Sequence, residues 1–320
     1  MTSQGKIDYL LTQVHVYDLI LFFYFVRNTV FHEVIEDEDP PLSAEDILGE
    51  WQINHQELYF GKKIVDGKSH QIYHGKWHGD IVIHTFAADD KRSTETYFQN
   101  VKALMHIRHE NIVCFMGASI YGDTVKCYAI ITNPVRAESL FAKSTSLSSM
   151  FVAKKMSIAC QVANALGYLH AKDITHGRVC SRNVFLEPKV QLSLLDYAIG
   201  HPNYVYSSPQ ILSGLKNSSK ADDIFAFGTL IYEIFSGHLP FQGSNSTAAR
   251  EIKADRIQLS LNQFQCTEKL RRIIHVCWQF EAFQRPPISQ LIHNFQPGSC
   301  LVRRHSTSEP RLDQLNLKRN

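Results

Sequence analysis

The chain has 320 residues with a formal charge of +2, and 44% of it is hydrophobic against 20% charged. That balance fits a globule with a sizeable core and excludes a fibrous or wholly disordered chain. Lys and Arg are spread along the sequence, so there is no nucleic-acid footprint. Seven cysteines, at 114, 127, 160, 180, 266, 277 and 300, are odd in number and form no C-x-x-C. They read as free thiols of a reducing, cytoplasmic compartment and not as a disulfide framework or zinc site.

Residues 1–46 stand apart from the rest. Leu19 to Val26 is a run of eight apolar residues between Asp18 and Arg27. A spanning helix needs about 20, and the basic start and cleavage site of a signal peptide are missing. The run reads first as an accessory leader, then as a peripheral helix, and last as a span. Any membrane contact is therefore assigned to residues 8–31. Glu33 to Pro41 reads as an acidic linker.

Three short β-type runs follow, Leu58–Val65, His70–Trp77 and Asp80–Phe86, with turns at Asp66-Gly67 and His78-Gly79. From Met150 to Lys172 the residues Val152, Met156, Ala159, Val162, Ala163, Leu166 and Leu169 recur at helical spacing. Ile224 to Phe235 is apolar nearly all round, as a buried helix would be. A small sheet followed by helices predicts an α+β fold. The expected division is 1–46 leader and linker, 47–296 folded domain, and 297–320 a disordered polar tail.

Thr175-His176-Gly177-Arg178-Val179-Cys180-Ser181-Arg182-Asn183 resembles the protein-kinase catalytic loop H-R-D-L-x-x-x-N, with His176 and Asn183 in frame. The resemblance implies a bilobal kinase fold. It also sets Arg178 where a kinase needs the aspartate that orients and deprotonates the attacking hydroxyl. A guanidinium stays protonated and cannot be a base. It would repel magnesium and compete for the γ-phosphate.

Further landmarks are degenerate in the same way. Val65-Asp66-Gly67-Lys68-Ser69-His70 keeps one glycine of G-x-G-x-x-G, and Gly67 alone reads as a turn residue. Ile81-Val82-Ile83-His84 resembles V-A-I-K with histidine for lysine, and the helix C glutamate falls on Asn100. In isolation His84 reads as a half-buried strand histidine, mostly neutral at pH 7. D-F-G appears as Asp196-Tyr197-Ala198. The resemblance leaves Asn183 and Asp196 as candidate metal ligands and Val65, Gly67, Ile72, Val82 and Phe185 around a residual nucleotide pocket. Val82 and Phe185 would sandwich an adenine or pack on each other. Thr132 would be the gatekeeper, with the Asn133 carbonyl and the Val135 N–H still facing adenine, but the phosphate end has lost two glycines and a lysine, so ATP and Mg²⁺ are expected to bind weakly or not at all. Leu104, Phe115, His176 and Tyr197 would stack as a spine, with Asp223 holding the loop backbone. Ser207-Ser208-Pro209-Gln210 resembles A-P-E without its glutamate, leaving Arg285 the amide of Gln210. Only 15 residues run from Asp196 to Gln210, too few for a long peptide-docking segment.

Glu50-Trp51-Gln52-Ile53, Tyr73-His74-Gly75-Lys76-Trp77, Arg108-His109-Glu110-Asn111-Ile112-Val113, Phe115-Met116-Gly117-Ala118 and Gly167-Tyr168-Leu169-His170 narrow the likeness. Over about residues 47–296 they resemble the Raf and kinase-suppressor-of-Ras branch, the suppressor more than Raf. That branch carries amino-terminal membrane-recruiting domains not seen in this sequence, so the chain reads as a short form or a piece of a longer one. The resemblance implies a catalytically impaired scaffold or allosteric partner in Ras–Raf–MEK signalling, binding Raf-type and MEK-type kinases and recruited to the membrane periphery. Trp51 and Arg108 would lie at a side-to-side dimer contact. The alternative is an active serine/threonine kinase with displaced groups, Lys62 or Lys63 reaching in and Asp173 as base.

In the tail, Ser308 has Arg304 at −4 and Pro310 at +2, the pattern that 14-3-3 proteins read in such relatives. Phosphorylation adds about −1.5 to −2 charges and oxygens suited to an arginine cluster. A Ser308-phosphorylated tail peptide is expected to bind 14-3-3 and Ser308→Ala to lose that association. Binding absent at tens of micromolar in a fluorescence titration would move the site to Ser306 or remove it.

Overall fold

β-Branched and aromatic residues build the first half of the chain into a five-stranded antiparallel sheet. Its strands are β1 (Tyr59–Asp66), β2 (His70–Lys76), β3 (Asp80–Ala87), β4 (Phe115–Tyr121) and β5 (Cys127–Thr132), in the order β1-β2-β3-β5-β4. The computed structural model describes residues 48–67, 70–87, 97–98, 101–121, 127–134, 139–143, 147, 149–187, 189–198, 204–215, 218–241, 245–264 and 266–296. The expectations for residues 1–46, Asn100, Val135 and the 297–320 tail with Arg304, Ser308 and Pro310 lie outside the described residues.

The strand alternation decides what each face meets. Ile81 and Ile83 of β3, with Ala129 and Ile131 of β5, pack on Ile53 and Leu58. Val82, between them, turns the other way and joins Ile72, Val113, Phe185 and Tyr197. The three predicted strands match β1 to β3 within a residue or two at each end. Gly67 closes the β1–β2 hairpin, its N–H donating to the His70 carbonyl at 3.1 Å.

The second half is helical: α1 (Val152–Ala171), α2 (Pro209–Leu212), α3 (Lys220–Ser236), α4 (Asn245–Lys253), α5 (Glu268–Cys277) and α6 (Ile288–Ile292). A two-stranded hairpin, β6 (Val184–Phe185) and β7 (Gln191–Leu192), lies between α1 and α2. The predicted stripe of α1 is buried at Met156, Ala159, Val162, Ala163, Leu166 and Leu169. α3 is buried almost throughout, starts on a Ser219–Asp222 capping box and ends on Gly237 in the left-handed region (φ 82°). Gly228 has a steric reason: a Cβ there would sit 2.6 Å from Cys277 Cβ, so only glycine lets α3 approach α5. The sheet and the helices together give the expected α+β, bilobal kinase-type architecture. No described helix is long and apolar enough to cross a membrane.

Arg285 is better supplied than its sequence suggests. It does reach Gln210 Oε1 at 2.6 Å, as expected. Its Nη1 also lies 3.6 Å from Asp222 Oδ1, and it donates to the carbonyls of Ala221, Gln279 and Phe280. The capping-box aspartate thus supplies the counter-charge that Gln210 lacks, and a guanidinium 6% exposed keeps an anion beside it.

Candidate functional site

The loop from Thr175 to Asn183 is held from below. Asp223 on α3, 1% exposed, accepts from the His176 N–H (2.7 Å), the Gly177 N–H (2.7 Å) and His170 Nε2 (2.9 Å). His176 is buried as well. Its Nδ1 accepts from the Arg178 N–H at 3.1 Å, so its Nε2–H donates to the Ser193 carbonyl at 2.9 Å. Burial lowers the His176 pKa from the usual histidine value, and the ring serves as a neutral strut. Asp223 therefore stands where the resemblance sets it, under the loop backbone.

Arg178 occupies the base position and turns onto the remaining metal candidate. Its Nη1 is 3.4 Å from Asp196 Oδ2, while Asp196 Oδ1 accepts from Asn183 Nδ2 (3.1 Å) and the Ala198 N–H (2.8 Å). Both carboxylate oxygens are engaged inside the protein. Asn183 is equally committed, donating to the Arg178 carbonyl at 2.8 Å and accepting from the Tyr197 N–H at 2.8 Å. A magnesium ion wants several oxygen ligands at about 2.1 Å in octahedral array. Here a guanidinium already neutralises one candidate ligand, and the carbonyl oxygen of the other is spoken for. The residues present do not fit a magnesium site.

The cleft above is apolar and filled. His84 is wholly buried, with Nδ1 3.4 Å from His70 Nε2 and Nε2 3.4 Å from the Tyr197 hydroxyl. Burial holds His84 well below the ordinary histidine range, with His70 pushing the same way, and burial lowers His70 to about 3. The half-buried histidine expected on β3 is thus a fully buried, uncharged one. His70 also stacks on Phe86 at 4.3 Å between centroids. The third glycine and the lysine of the motifs are both histidine here, and that pairing was a readable signal in the sequence.

Of the pocket residues, Val65, Ile72, Val82 and Phe185 come together in one packed cluster, which Tyr197 shares. Thr132 is buried beside them, while Asn133 clasps Cys114, its N–H on the Cys114 carbonyl and its Oδ1 on the Cys114 N–H. Gly67 spends its N–H on the hairpin. Leu104 and Phe115 pack into the main core, but Tyr197 does not join them. It turns into the cleft against Phe185 and His84, where burial pushes its phenol pKa up against a smaller opposing pull from the Thr132 hydroxyl. The expected four-member spine is therefore not assembled through Tyr197. At the hinge end a separate cavity of about 550 Å³ opens over Tyr59, His74, Lys76, Asp80 and Pro134.

Of the displaced groups of the alternative reading, Lys63 and Asp173 are paired elsewhere and Lys62 is exposed. Lys63 is on the exposed edge strand, bonded to Asp66 at 2.9 Å, and Lys62 is exposed. Asp173 is bound by Lys220 at 2.5 Å and that ammonium lowers its pKa. Trp51 and Arg108 do meet: the guanidinium carbon lies 4.9 Å from the Trp51 ring, which in turn contacts Phe115 at 5.5 Å. Beneath them Asn111, 3% exposed, donates to the Val190 carbonyl at 2.9 Å and to Gln161 Oε1 at 3.1 Å.

A buried group that the motifs did not announce is Glu233 on α3. The Tyr206 hydroxyl donates to Glu233 Oε2, and the Ser181 N–H donates to the Tyr206 oxygen at 3.3 Å. Burial raises both the Glu233 and the Tyr206 pKa.

The family profile described as protein tyrosine and serine/threonine kinase matches residues 58–295. The chain belongs to that family. It is 27% identical over 274 residues to human kinase suppressor of Ras 2, covering 77% of this chain and 28% of that protein. To human A-Raf, a serine/threonine-protein kinase, it is 25% identical over 288 residues, covering 82% of this chain and 47% of the relative. Its kinase-like domain is thus related to kinase suppressor of Ras and Raf, and the chain spans less than half the length of these relatives.

The buried histidines give the domain a specific acid sensitivity. A histidine forced neutral in the fold but protonated when unfolded contributes stability above the unfolded pKa, about 6.5, and loses it as pH falls. Between pH 7.5 and 5.5 that loss is about 1.4 kcal/mol for one such residue. His84→Leu is expected to remove roughly that much of the pH-dependent drop in urea melts; an unchanged drop would show that His84 is not held neutral.

Proposed function

We propose that this kinase-related domain works in Raf–MEK signalling without phosphotransfer, as a kinase-shaped partner that binds Raf-type and MEK-type kinases. The observation that carries the reading is the Arg178–Asp196 pair at 3.4 Å. One residue stands where the general base belongs and is a permanent cation. The other is the last acidic metal candidate and is used to neutralise it. The uncharged His84 in place of the phosphate-binding lysine points the same way.

Losing a general base alone costs about 10²- to 10⁴-fold, and groups that act as a unit are not rescued singly. Purified protein is expected to show no phosphotransfer to itself or to a MEK-type substrate, with Arg178→Asp equally silent. A rate near ~1 s⁻¹, typical of kinases, with contaminants excluded, would overturn the reading. ATP affinity, with or without Mg²⁺, is expected to be weaker than about 1 μM.

The partner side of the proposal rests on the Trp51–Arg108 stack, which presents an exposed arginine beside the sheet. Arg108→His is expected to weaken co-association with a Raf-type kinase at matched expression, with no change in melting temperature of the isolated protein. Unchanged association would leave Arg108 a solvated arginine at a helix end.

A further inference from the structure

The groove of about 550 Å³ at the hinge end of the sheet is separate from the packed cluster of Ile72, Val82, Phe185 and Tyr197, none of which lines it. Its size is that of an ordinary small-molecule site. Strand register builds its face. Tyr59 on β1 stands opposite Lys76 on β2, and Lys76 stands opposite Asp80 on β3. Residues directly opposed on neighbouring strands share a face, so a phenol, an ammonium and a carboxylate form one row across three strands. His74 lies two residues along β2 and therefore on the same face. Gly61 keeps the floor beside that row bare: a Cβ there would sit 2.9 Å from the His74 carbonyl oxygen and 3.8 Å from Tyr59 Cε1. Pro134 borders the groove where the chain leaves β5.

The cation of this row is not used by the fold. On the same hairpin Lys63 is engaged twice, with Asp66 at 2.9 Å and over the Tyr73 ring at 5.6 Å. Lys76 is exposed and makes no hydrogen bond or ion pair with any described residue, although the register sets it against Asp80. Asp80 has a contact of its own, and a carboxylate accepts several hydrogen bonds. The Tyr59 ring is 65% exposed and offers a face for stacking. Paired Cα atoms on antiparallel strands lie about 5 Å apart, so both charged groups and the ring are within reach of one small molecule.

We propose that this groove binds a free aromatic amino acid, with its carboxylate on Lys76, its ammonium on Asp80 and its ring against Tyr59 and Pro134. The class follows from the charges. Lys76 and Asp80 together carry none, so a multiply charged anion meets a carboxylate wherever it meets the ammonium. A zwitterion satisfies both signs at once, because its two charged groups sit on one carbon. A residue inside a peptide has lost both of those charges to amide bonds. Lys76 brings three donors to a carboxylate, and His74 supplies a further ring nitrogen on the same face. The bare floor at Gly61 leaves room for the ligand's ring beside that of Tyr59.

The test titrates the full chain by calorimetry with L-phenylalanine, and with 3-phenylpropionate, phenethylamine and L-alanine, which lack the ammonium, the carboxylate and the ring in turn. L-Phenylalanine is expected to bind with a Kd below about 1 mM, and each of the other three at least ~10-fold more weakly. Lys76→Met, Asp80→Asn and Tyr59→Ala alter exposed side chains, so each variant is expected to keep the wild-type melting temperature and to lose at least ~10-fold in phenylalanine affinity. No binding of phenylalanine up to about 10 mM, or equal binding by the wild type and all three variants, would overturn the site. Phenylpropionate or phenethylamine binding as tightly as phenylalanine would overturn the zwitterion, and L-alanine doing so would overturn the aromatic part. A variant that melts early is replaced by Lys76→Gln, Asp80→Ser or Tyr59→Leu at the same position, for which the same loss is expected; undiminished binding there would overturn that residue's part in the site.

Discussion

The Asp223 carboxylate, sunk to 1% exposure at the start of α3, accepts from two consecutive backbone N–H groups and from His170 on α1. A buried anion is tolerated only when such donors replace its water, and charge-assisted bonds to three of them do so. The loop from His176 onward takes its course from that contact, because two of its N–H groups have nowhere else to go. His176 then passes the constraint upward, fixing the Arg178 N–H on one ring nitrogen and the Ser193 carbonyl on the other. Asn183 closes the loop back on itself through the Arg178 carbonyl. None of these contacts involves the side chain at 178. The frame is therefore indifferent to whether that position carries an acid or a base.

That indifference lets the side chain at 178 differ while the loop keeps its course. Once position 178 is a cation, Asp196 has a partner without a metal, and the pair is only partly exposed. Once position 84 is uncharged, the back of the cleft no longer holds a positive charge. A lysine there would be a buried ammonium among Val82, Ile72 and Tyr197, costly without an acidic partner. With the histidine, the cleft becomes an ordinary piece of core, and Tyr197 and His70 move into it. His70 and His84 thus lie buried together in the cleft with Tyr197, while Arg178 is paired with Asp196 beside it.

Much of the frame was legible in the sequence because it is written in local pattern. The three strands, the amphipathic α1 and the all-round apolar α3 follow from spacing, and the roles of His176, Asp223 and Arg285 follow from motifs whose hydrogen bonds are largely backbone bonds. The site was legible only in its losses. Arg178 could be read as a missing base, but its embrace of Asp196 joins residues 18 apart by a side-chain direction that no periodicity encodes. Tyr197 was read into the spine because an aromatic after the aspartate usually goes there; which way it rotates depends on whether the cleft is empty, and that is set by His84 on another strand. Asp222 belongs to none of the motifs read from the sequence, and in the fold it closes the capping box of α3 with Ser219. The second duty, beside Arg285, appears only when α3 and the α5–α6 connection are in contact.

On the proposed role, a filled cleft has a consequence for binding. A kinase whose lobes close around nucleotide presents its partner surfaces in proportion to how often the closed form is occupied, and apparent affinity falls by that fraction. Here the sheet lobe and the catalytic loop are already joined through Tyr197, Phe185 and Val82, and Val113 and Asn111 tie the sheet to β7 through backbone bonds to Leu192. The Trp51–Arg108 stack rests on Phe115 at the base of β4, inside the same packed body. A partner that reads this surface would meet a preorganised one, and preorganisation raises affinity by removing the ordering cost from the binding step. On the proposed role, the packing of Tyr197, Phe185 and Val82 favours a constant shape, which is the property a binding partner needs.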